Sequence, residues 1–381
     1  MHAPLTFVPR QRDLFGESAQ RSALTTPEVD AAIEAHAPCF IGVSGGCDSQ
    51  ALAYRTIEYL DAAGHRGPRH LIHADLGRVE WRESLPVCER TAERLGIELI
   101  VVRRRAGGLM ERWLSRWEAN CERYRKLECV RLIMPFSSAV LRFCTSENKH
   151  AIIAAEIRRR FPSGDVLSAI GLRREESAAR ARRPVAAIDE KLCRRSGRGY
   201  AWHPILAWTK DDVRQYIAER GDVLHEAYTR YGSTRVSCTF CILASAGDLR
   251  AAATCDDNAA TYRELVELEI RSTFSFQSGK WLGDVAPALL DSGTRERLIE
   301  AKGRARRREA AEATIPPHLL YRKGWPVAVP TAQEAALLAG VRLEVADAVG
   351  LTIEYSTPDQ IIGRYITRMA ERDLKVGVPA D

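Results

Sequence analysis

The most regular stretch of hydrophobic pattern lies between residues 38 and 102, where short apolar runs alternate with longer amphipathic ones. Cys39-Phe-Ile-Gly-Val43 is too short for a stable helix and apolar on both faces, the pattern of a buried parallel strand. A glycine turn follows it, and residues 48–62 carry Leu52, Ile57 and Leu60 among the apolar positions of a helix. His70–Ala74 predicts a second strand, residues 82–95 a second helix and Ile97–Val102 a third strand. Strands joined through helices in this way require right-handed crossovers and a parallel sheet.

On either side the pattern is looser. Residues 1–35 read as a polar N-terminal arm with an amphipathic segment over Thr26–Ala35. Residues 106–165 read as mainly helical, and Val166–Gly171 returns to strand character. Thr209–Glu219 predicts a helix opened by a Thr209 cap, with Asp211 and Asp212 placed favourably in its first turn. Beyond Cys255 the pattern is helices and irregular connections, with Pro and Gly breaks near 315–330; there is no repeat and no low-complexity tract. The organisation expected is an arm over 1–35, an α/β domain over 36–235 and a cysteine-containing, mainly helical C-terminal region over 236–381.

Composition adds exclusions. With 45% hydrophobic and 28% charged residues the 381-residue chain has an ordinary globular balance, not that of a disordered one. No apolar run approaches the roughly 20 residues that span a bilayer. The start, MHAPLTFVPRQRDLF, lacks the apolar core of a signal peptide. A cytoplasmic protein without a membrane partner is expected. The net charge of +6 is unevenly placed: residues 103–131 and 173–198 each carry nine Lys/Arg against four Asp/Glu, so the remainder is net acidic. Solvated helix faces would explain those windows, as would an anionic partner, either nucleotide phosphates or a nucleic-acid backbone.

The strongest chemical signal is Ser44-Gly45-Gly46-Cys47-Asp48-Ser49, between a predicted strand and a predicted helix. Adjacent glycines let backbone approach an anion without a Cβ in the way, and the amides of a helix N-terminus attract phosphate. Ser44 and Ser49 offer hydroxyls, and Asp48 a carboxylate for Mg²⁺. The Walker A spacing and its lysine are absent.

The string Ser-Gly-Gly-Cys-Asp-Ser resembles the pyrophosphate loop (PP-loop) of the N-type ATP pyrophosphatases, a superfamily that includes sulfonucleotide reductases, tRNA thiolases and GMP synthetase. The resemblance implies an adenine nucleotide α-hydrolase-like (HUP) fold, an α/β doubly wound parallel sheet here with a helical C-terminal extension, and cleavage of ATP to AMP and pyrophosphate by the 36–235 domain. Reductase-like members often have Lys where this chain has Cys47. Further along, His73-Ala-Asp75-Leu-Gly77 looks like the family's strand end at the adenosine pocket, with Asp75 facing ribose or metal. Arg142-Phe-Cys144-Thr145-Ser-Glu-Asn-Lys149 looks like the Arg-x-Cys-Thr…Lys element of the phosphoadenosine-phosphosulfate-reductase-like branch. There Thr145 or Ser146 would cap a helix while Arg142 and Lys149 face phosphate. Gly171-Leu-Arg173-Arg174-Glu175-Glu176-Ser177 is similar to that branch's Gly-Ile-Arg-x-Glu-Glu-Ser, whose arginines would neutralise charge on the leaving pyrophosphate. His203-Pro-Ile205, Trp208 and Asp212-Val213 match a stretch that is architectural.

Ten cysteines include one Cys-x-x-Cys pair, Cys238 and Cys241, with Cys255 following after thirteen intervening residues. In a reducing compartment such a pair points to metal or redox work, and four thiolates would hold a [4Fe–4S] cluster or a zinc. Cys39 and Cys88 read as ordinary buried residues; Cys121 and Cys129 are alternatives in the middle segment. By resemblance to iron–sulfur relatives the ligands are Cys144, Cys238 and Cys241, with Cys255 as a fourth.

Three functions are in play. The first is ATP-dependent adenylation coupled to sulfur transfer, with a sulfur-donor protein such as a cysteine desulfurase and a nucleic acid, DNA before tRNA, as acceptor. That reading makes the chain similar to the sulfur-incorporating ATPases of DNA phosphorothioation. The second is a sulfonucleotide reductase, disfavoured by the lack of a Glu-Cys-Gly-like tail in a sequence ending Val376-Gly-Val-Pro-Ala-Asp381. The third is a nucleotide-binding sensor or scaffold without chemistry.

Overall fold

The computed structural model describes residues 21–376. In chain order its principal elements are α1 (Pro27–Glu34), β1 (Cys39–Gly42), α2 (Cys47–Ala62), β2 (Arg69–Asp75), α3 (Ser84–Leu95), β3 (Leu99–Arg103), α4 (Leu109–Arg125) and α5 (Ala151–Arg160). There follow β4 (Val166–Ala169), β5 (Ala186–Ile188), β6 (Gly199–Trp202), α6 (Lys210–Glu219), α7 (Ala246–Ala253), α8 (Ala259–Ser272), α9 (Ser292–Ala313), α10 (Ala332–Val349) and α11 (Pro358–Val376). They form two compact units: one holds the described residues up to Leu109 together with Arg142–Asn258, the other Met110–Leu141 together with the described residues from Ala259 onward.

The first unit is built on a sheet of order β3-β2-β1-β4-β6-β5. All its pairings are parallel except β5 with β6. This is the doubly wound architecture that the sequence predicts, with one antiparallel edge strand that it does not. β5 is three residues long, too short to leave a readable alternation. Successive residues of β1 serve opposite faces of the sheet. Cys39 and Ile41 enter a core with residues of α1, α2, α3 and α6, while Phe40 joins Ile72, Ile100, Val166 and residues Ala154 and Ile157 of α5. Burial on both faces is why that strand reads as a continuous apolar run.

The expected arm over 1–35 differs from what forms. Thr26 accepts from the Val29 amide as an N-cap, and Val29, Ala32 and Ile33 of α1 are buried in the sheet's core. Trp202 and Trp208 also donate their indole N–H groups to the carbonyls of Leu24 and Ser22. The described part of that arm therefore belongs to the first unit; residues 1–20 lie outside the described residues. Likewise Cys238, Cys241 and Cys255 fall in the first unit, beyond the expected boundary at 235.

The middle segment is helical only in part. α4 stops at Arg125, Leu127 takes a positive φ of 48°, and 126–142 runs without helix past Pro135, which cannot supply a helical N–H. Helix resumes as a turn at Phe143–Thr145, widens to a π-turn at Ser146–His150 and continues as α5. Neither Thr145 nor Ser146 acts as a side-chain cap, contrary to the sequence reading, because the chain is already helical at both.

The second unit is helical. Trp113, Phe136 and Phe276 meet edge to face at centroid distances of 5.0–6.0 Å in its interior, an arrangement aromatic rings favour. Trp325 of the Tyr321–Trp325 segment is buried and donates to the Leu319 carbonyl, whereas Tyr321 is exposed. No helix among the described residues is long and apolar enough to cross a membrane.

Candidate active site at the β1/β4 switch point

β1 lies at the centre of the sheet, with β2 on one side and β4 on the other. Chain connections leave these two neighbours in opposite directions, so the loops after β1 and β4 part above the sheet and open a crevice where ligands of such sheets bind. The loop after β1 is Ser44–Ser49, and the loop after β4 contains Gly171–Ser177. The topology thus brings together two strings that the sequence reading expects to meet phosphate.

Gly45 has φ +76°, and a Cβ there would sit 2.8 Å from the Ser84 carbonyl oxygen and 2.9 Å from Ser84 Cα. Both the conformation and the close backbone approach require glycine. Ser49 closes the loop from within: its hydroxyl accepts from the Ser44 amide at 3.1 Å and donates to the Gly46 carbonyl at 2.8 Å. That hydroxyl shapes the loop, a role different from the phosphate donor expected of it. Gly46 precedes α2 as an extended N-cap without a side chain, and the first amide of the helix, that of Cys47, donates instead to the Tyr228 hydroxyl at 3.3 Å.

Asp48 and Arg173 join the two loops. Arg173 Nε donates to Asp48 Oδ1 at 2.6 Å, a second guanidinium N–H meets Glu175, and Glu176 accepts from the Arg173 amide at 2.8 Å. Arg173 is 6% exposed. Burial raises the Asp48 carboxyl above its usual range, with Arg173 pulling in the other direction. Burial works against the Arg173 charge too, but Asp48 and Glu175 outweigh it and hold the guanidinium protonated. A Cβ on Gly171 would lie 3.1 Å from the Asp48 carbonyl oxygen, so glycine is what lets the β4 loop approach α2 so closely. Arg174, next to Arg173, is exposed, and its side chain has no carboxylate partner among the described residues. The two arginines expected to act together are divided between an inner and an outer position.

Asp75 is committed locally. Its Oδ1 accepts from the Gly77 amide at 2.6 Å and its Oδ2 from Arg103 Nε at 2.9 Å. Buried His73, on the same strand, contacts the Val43 carbonyl through Nδ1 at 3.1 Å and Glu80 Oε2 through Nε2 at 3.2 Å. A carbonyl and a carboxylate both accept, so both ring nitrogens carry hydrogen and the imidazole is cationic. Burial disfavours that charge, but Cys88 and Glu80 raise the His73 pKa to about 10.

Glu80 leads to the cysteines. It forms an antiparallel bridge with Cys238, and the Thr239 amide donates to the Val79 carbonyl at 2.8 Å. Burial pushes the Cys238 thiol upward; Lys149 pulls it down, while Cys241, Glu80 and Cys144 add to the rise. Lys149, Cys144 and Cys241 thus all lie within electrostatic reach of Cys238, although Cys144 and Cys238 lie far apart in sequence. Arg142 stands at the entrance of the Cys144 turn and donates to Thr145 Oγ1 at 3.4 Å. Cys255 is buried at 3% exposed and its thiol bonds with Tyr231.

Among the described residues no three His, Cys, Asp or Glu side chains stand close enough to enclose a metal ion. The chemistry of the group still suits a sulfur-rich ligand. Asn148 is 1% exposed with both amide atoms lacking a partner, and Thr239 Oγ1 is buried without one. Such orphaned polar atoms are costly unless something polar meets them, and hydrogen bonds to sulfur are a normal part of iron–sulfur sites.

Sequence reasoning did not single out several residues that build this edge. Asp248 accepts from the Thr234 amide at 2.6 Å and from the hydroxyls of Ser233, Thr234 and Ser245 at 2.8–3.1 Å, holding the cysteine loop closed. Its signal was present as Ser245-Ala-Gly-Asp248, a capping pattern. Tyr228, Glu80 and Asn148 left no signal, because their roles depend on long-range contacts.

A doubly wound nucleotide-binding sheet with this pair of loops defines the class of protein. Residues 38–244 match the model of the phosphoadenosine phosphosulfate reductase domain, and the chain belongs to that family. Family membership points to nucleotide-dependent sulfur chemistry. No curated protein matches the chain. Among solved structures it is similar to phosphoadenylyl-sulfate (PAPS) reductase from Candida auris in its phosphate complex, at 16% identity and a TM-score of 0.33, covering 52% of this chain and 80% of that one. It is also similar to the U34-tRNA thiolase NcsA from Methanococcus maripaludis with its [4Fe-4S] cluster, at 12% identity and a TM-score of 0.31, covering 69% of this chain and 88% of that one.

Proposed function

We propose that this chain cleaves ATP to AMP and pyrophosphate and couples that cleavage to sulfur transfer onto a nucleic acid, DNA before tRNA. The observation that carries the reading is the gathering of a glycine loop, the Asp48–Arg173 pair and three thiols at one sheet edge. The loop amides and the entrance of α2 receive the ATP phosphates. Asp48 is the carboxylate that would meet Mg²⁺, and Arg173 and Lys149 supply positive charge as pyrophosphate leaves. An acceptor phosphate oxygen attacks the α-phosphorus and the bond to the β-phosphate bridge breaks. Sulfide then attacks the activated acceptor and expels AMP with the original oxygen; a donor such as a cysteine desulfurase carries that sulfur as a persulfide, from which a dithiol reductant releases it as sulfide while being oxidised to its disulfide. A [4Fe–4S] cluster held by Cys144, Cys238 and Cys241 alone would leave one iron open for that sulfide, whereas Cys255 as a fourth ligand would close it.

The basic windows support an anionic acceptor once the fold divides them. Arg174, Arg182 and Arg183 follow β4, are exposed and lack carboxylate partners among the described residues; Arg183 and Arg180 both act on His203 at the end of β6. Arg194 and Arg198 precede β6 and so lie at the opposite edge, where Arg194 is spent on the carbonyls of Phe161 and Leu192. Only the first half of the 173–198 window faces the nucleotide edge.

The test is pyrophosphate release from ATP by anaerobically purified protein, with iron and sulfide analysis and labelled sulfide offered with DNA or tRNA. ATP-dependent label in DNA is the expected result; label in tRNA alone changes the acceptor, and no pyrophosphate with any acceptor overturns the reading. The family's namesake activity favours one second reading, a sulfonucleotide reductase, which would release sulfite from a sulfonucleotide and no pyrophosphate from ATP.

A further inference from the structure

The hydroxyl of Tyr228 sits where the glycine loop and the cysteine segment come closest. The Cys47 amide, the first of α2, donates to Tyr228 Oη at 3.3 Å, and the Val236 amide donates to the same oxygen at 3.1 Å. Cys47 Sγ lies 3.3 Å away as well. A phenol has two acceptor sites and one hydrogen. The Cys47 thiol is placed as a donor too, so two amides and one thiol converge on this single oxygen. The contact is close on every side: a Cβ on Gly46 would touch Tyr228 Oη and Val236 Cβ, each at 3.5 Å.

The two amides belong to segments with different tasks. The Cys47 amide is one that a helix entrance presents to an anion. Val236 stands two residues before Cys238, whose own backbone is bridged to Glu80. Among the described residues the Val236 amide has the Tyr228 hydroxyl as its acceptor. A shift of the loop on phosphate binding therefore moves an atom that also holds the approach to Cys238.

We infer that Tyr228 is a positioning residue that couples anion occupancy of the Ser44–Ser49 loop to the placement of the Cys238–Cys241 segment. The inference rests on the loop being a phosphate site. Its consequence is reciprocal: ordering the cysteine segment strengthens pyrophosphate binding by the factor with which pyrophosphate orders that segment. Sulfur chemistry is then tied to the presence of nucleotide through one hydroxyl, with no contact between nucleotide and cysteine needed.

Amide hydrogen exchange of the full chain, with and without inorganic pyrophosphate and Mg²⁺, reads both ends at once. In the wild type, pyrophosphate slows exchange in the peptide covering 44–49 and, by about fivefold, in the peptide covering 236–241, the ratio set by one net hydrogen bond's worth of coupling. Tyr228→Phe keeps the ring and removes the hydroxyl. In it the 44–49 peptide still responds and the 236–241 peptide no longer does. A merely structural tyrosine would speed exchange in both peptides equally with and without ligand. Retained response at 236–241 in Tyr228→Phe overturns the coupling, as does a wild type that responds only at 44–49. That last result stands even where the variant does not fold. No response at 44–49 in the wild type overturns the phosphate site itself, and the coupling with it.

Discussion

Both units pair their buried charge, but they differ in what lies beside it. In the helical unit each deeply buried ionic group is enclosed by partners of its own. Arg308, 1% exposed, donates to Thr273 Oγ1 at 2.9 Å, to the Thr273 carbonyl at 3.1 Å and to Glu312 at 2.9 Å, and Glu312 accepts in turn from the Leu132 amide at 2.9 Å. Arg342, fully buried, donates to the carbonyls of Tyr124, Arg125, Glu354 and Tyr355 at 2.8–3.2 Å, capping the end of α4. In the nucleotide-binding unit Arg173 is equally buried, yet Arg174, Arg182 and Arg183 beside it stay open, and Asn148 and Thr239 are buried without partners. Charge that is sealed holds a fold together. Charge and polarity left unsatisfied along one edge are what a ligand would complete.

The comparison breaks first at Arg308. Arg308→Ala removes one partner of a buried pair and leaves Glu312 with only the half-exposed Arg131 at 3.7 Å, a change that costs about 3 kcal/mol. Exchange protection across α9 should collapse while the 44–49 peptide keeps its response to pyrophosphate. Loss of both responses together would show that sealed charge in this unit is not a local matter. The next largest effect belongs to Gly45→Ala, which meets Ser84 backbone at 2.8 Å with φ +76°. Strain of roughly 1–3 kcal/mol at such a position falls on the loop itself, so pyrophosphate affinity should drop about tenfold to a hundredfold with little change in α9 protection. Calorimetric titration reads the affinity, and an unchanged one would remove the loop from the site.

Acidity sharpens the comparison in the helical unit. Glu269 is fully buried and accepts from the amides of Phe276 and Leu282 at 2.7 Å and of Gly283 at 3.1 Å. Burial raises its pKa to about 7, against the lowering effect of those amides. A folded pKa above the unfolded one gives stability that is complete below the unfolded value and is lost as pH rises through the folded one. Between about pH 4.5 and pH 7 this unit should therefore lose on the order of 2–3 kcal/mol, read by denaturant unfolding at a series of pH values. Glu269→Gln, which cannot titrate, should flatten that curve. An equally steep curve in the variant would assign the dependence to another group.

Much of the nucleotide-binding unit was legible because its elements are local. β1, α2, β2, α3 and β3 each announce themselves by periodicity, and Thr209 and Asp212 form the cap they spell, with Asp212 accepting from the Thr209 amide at 2.7 Å. The loop strings were legible for the same reason, since glycine and helix-entrance chemistry are fixed within six residues. What stayed hidden depends on distant partners. The split of Arg173 from Arg174 follows from Asp48, and the commitment of Asp75 follows from Arg103 on the next strand. The break at 126–142 was missed because a helical average over a long window conceals one proline and a positive φ at Leu127. The helical unit gave little, since α9 and α10 bury Arg308, Glu312 and Arg342, residues that a hydrophobic pattern assigns to the surface.

The smallest expected effect on stability tests the open half of the comparison. Arg182 and Arg183 are exposed and pair with no carboxylate among the described residues, so Arg182→Ala/Arg183→Ala should change unfolding by no more than about 0.5 kcal/mol. If their charges meet a phosphate backbone, each lost contact removes about one counterion from the binding equilibrium. The slope of log affinity for a DNA duplex against log salt should then fall by about 2 in the double variant, with weakening uniform across sequences. Paired replacement of Arg194 and Arg198 at the opposite sheet edge should leave the slope where it was. The same drop from both pairs would mean that DNA samples the whole basic surface and that the nucleotide edge has no privileged claim to it. No drop from either pair would leave those open guanidinium groups to smaller anions, and the acceptor would have to be sought elsewhere.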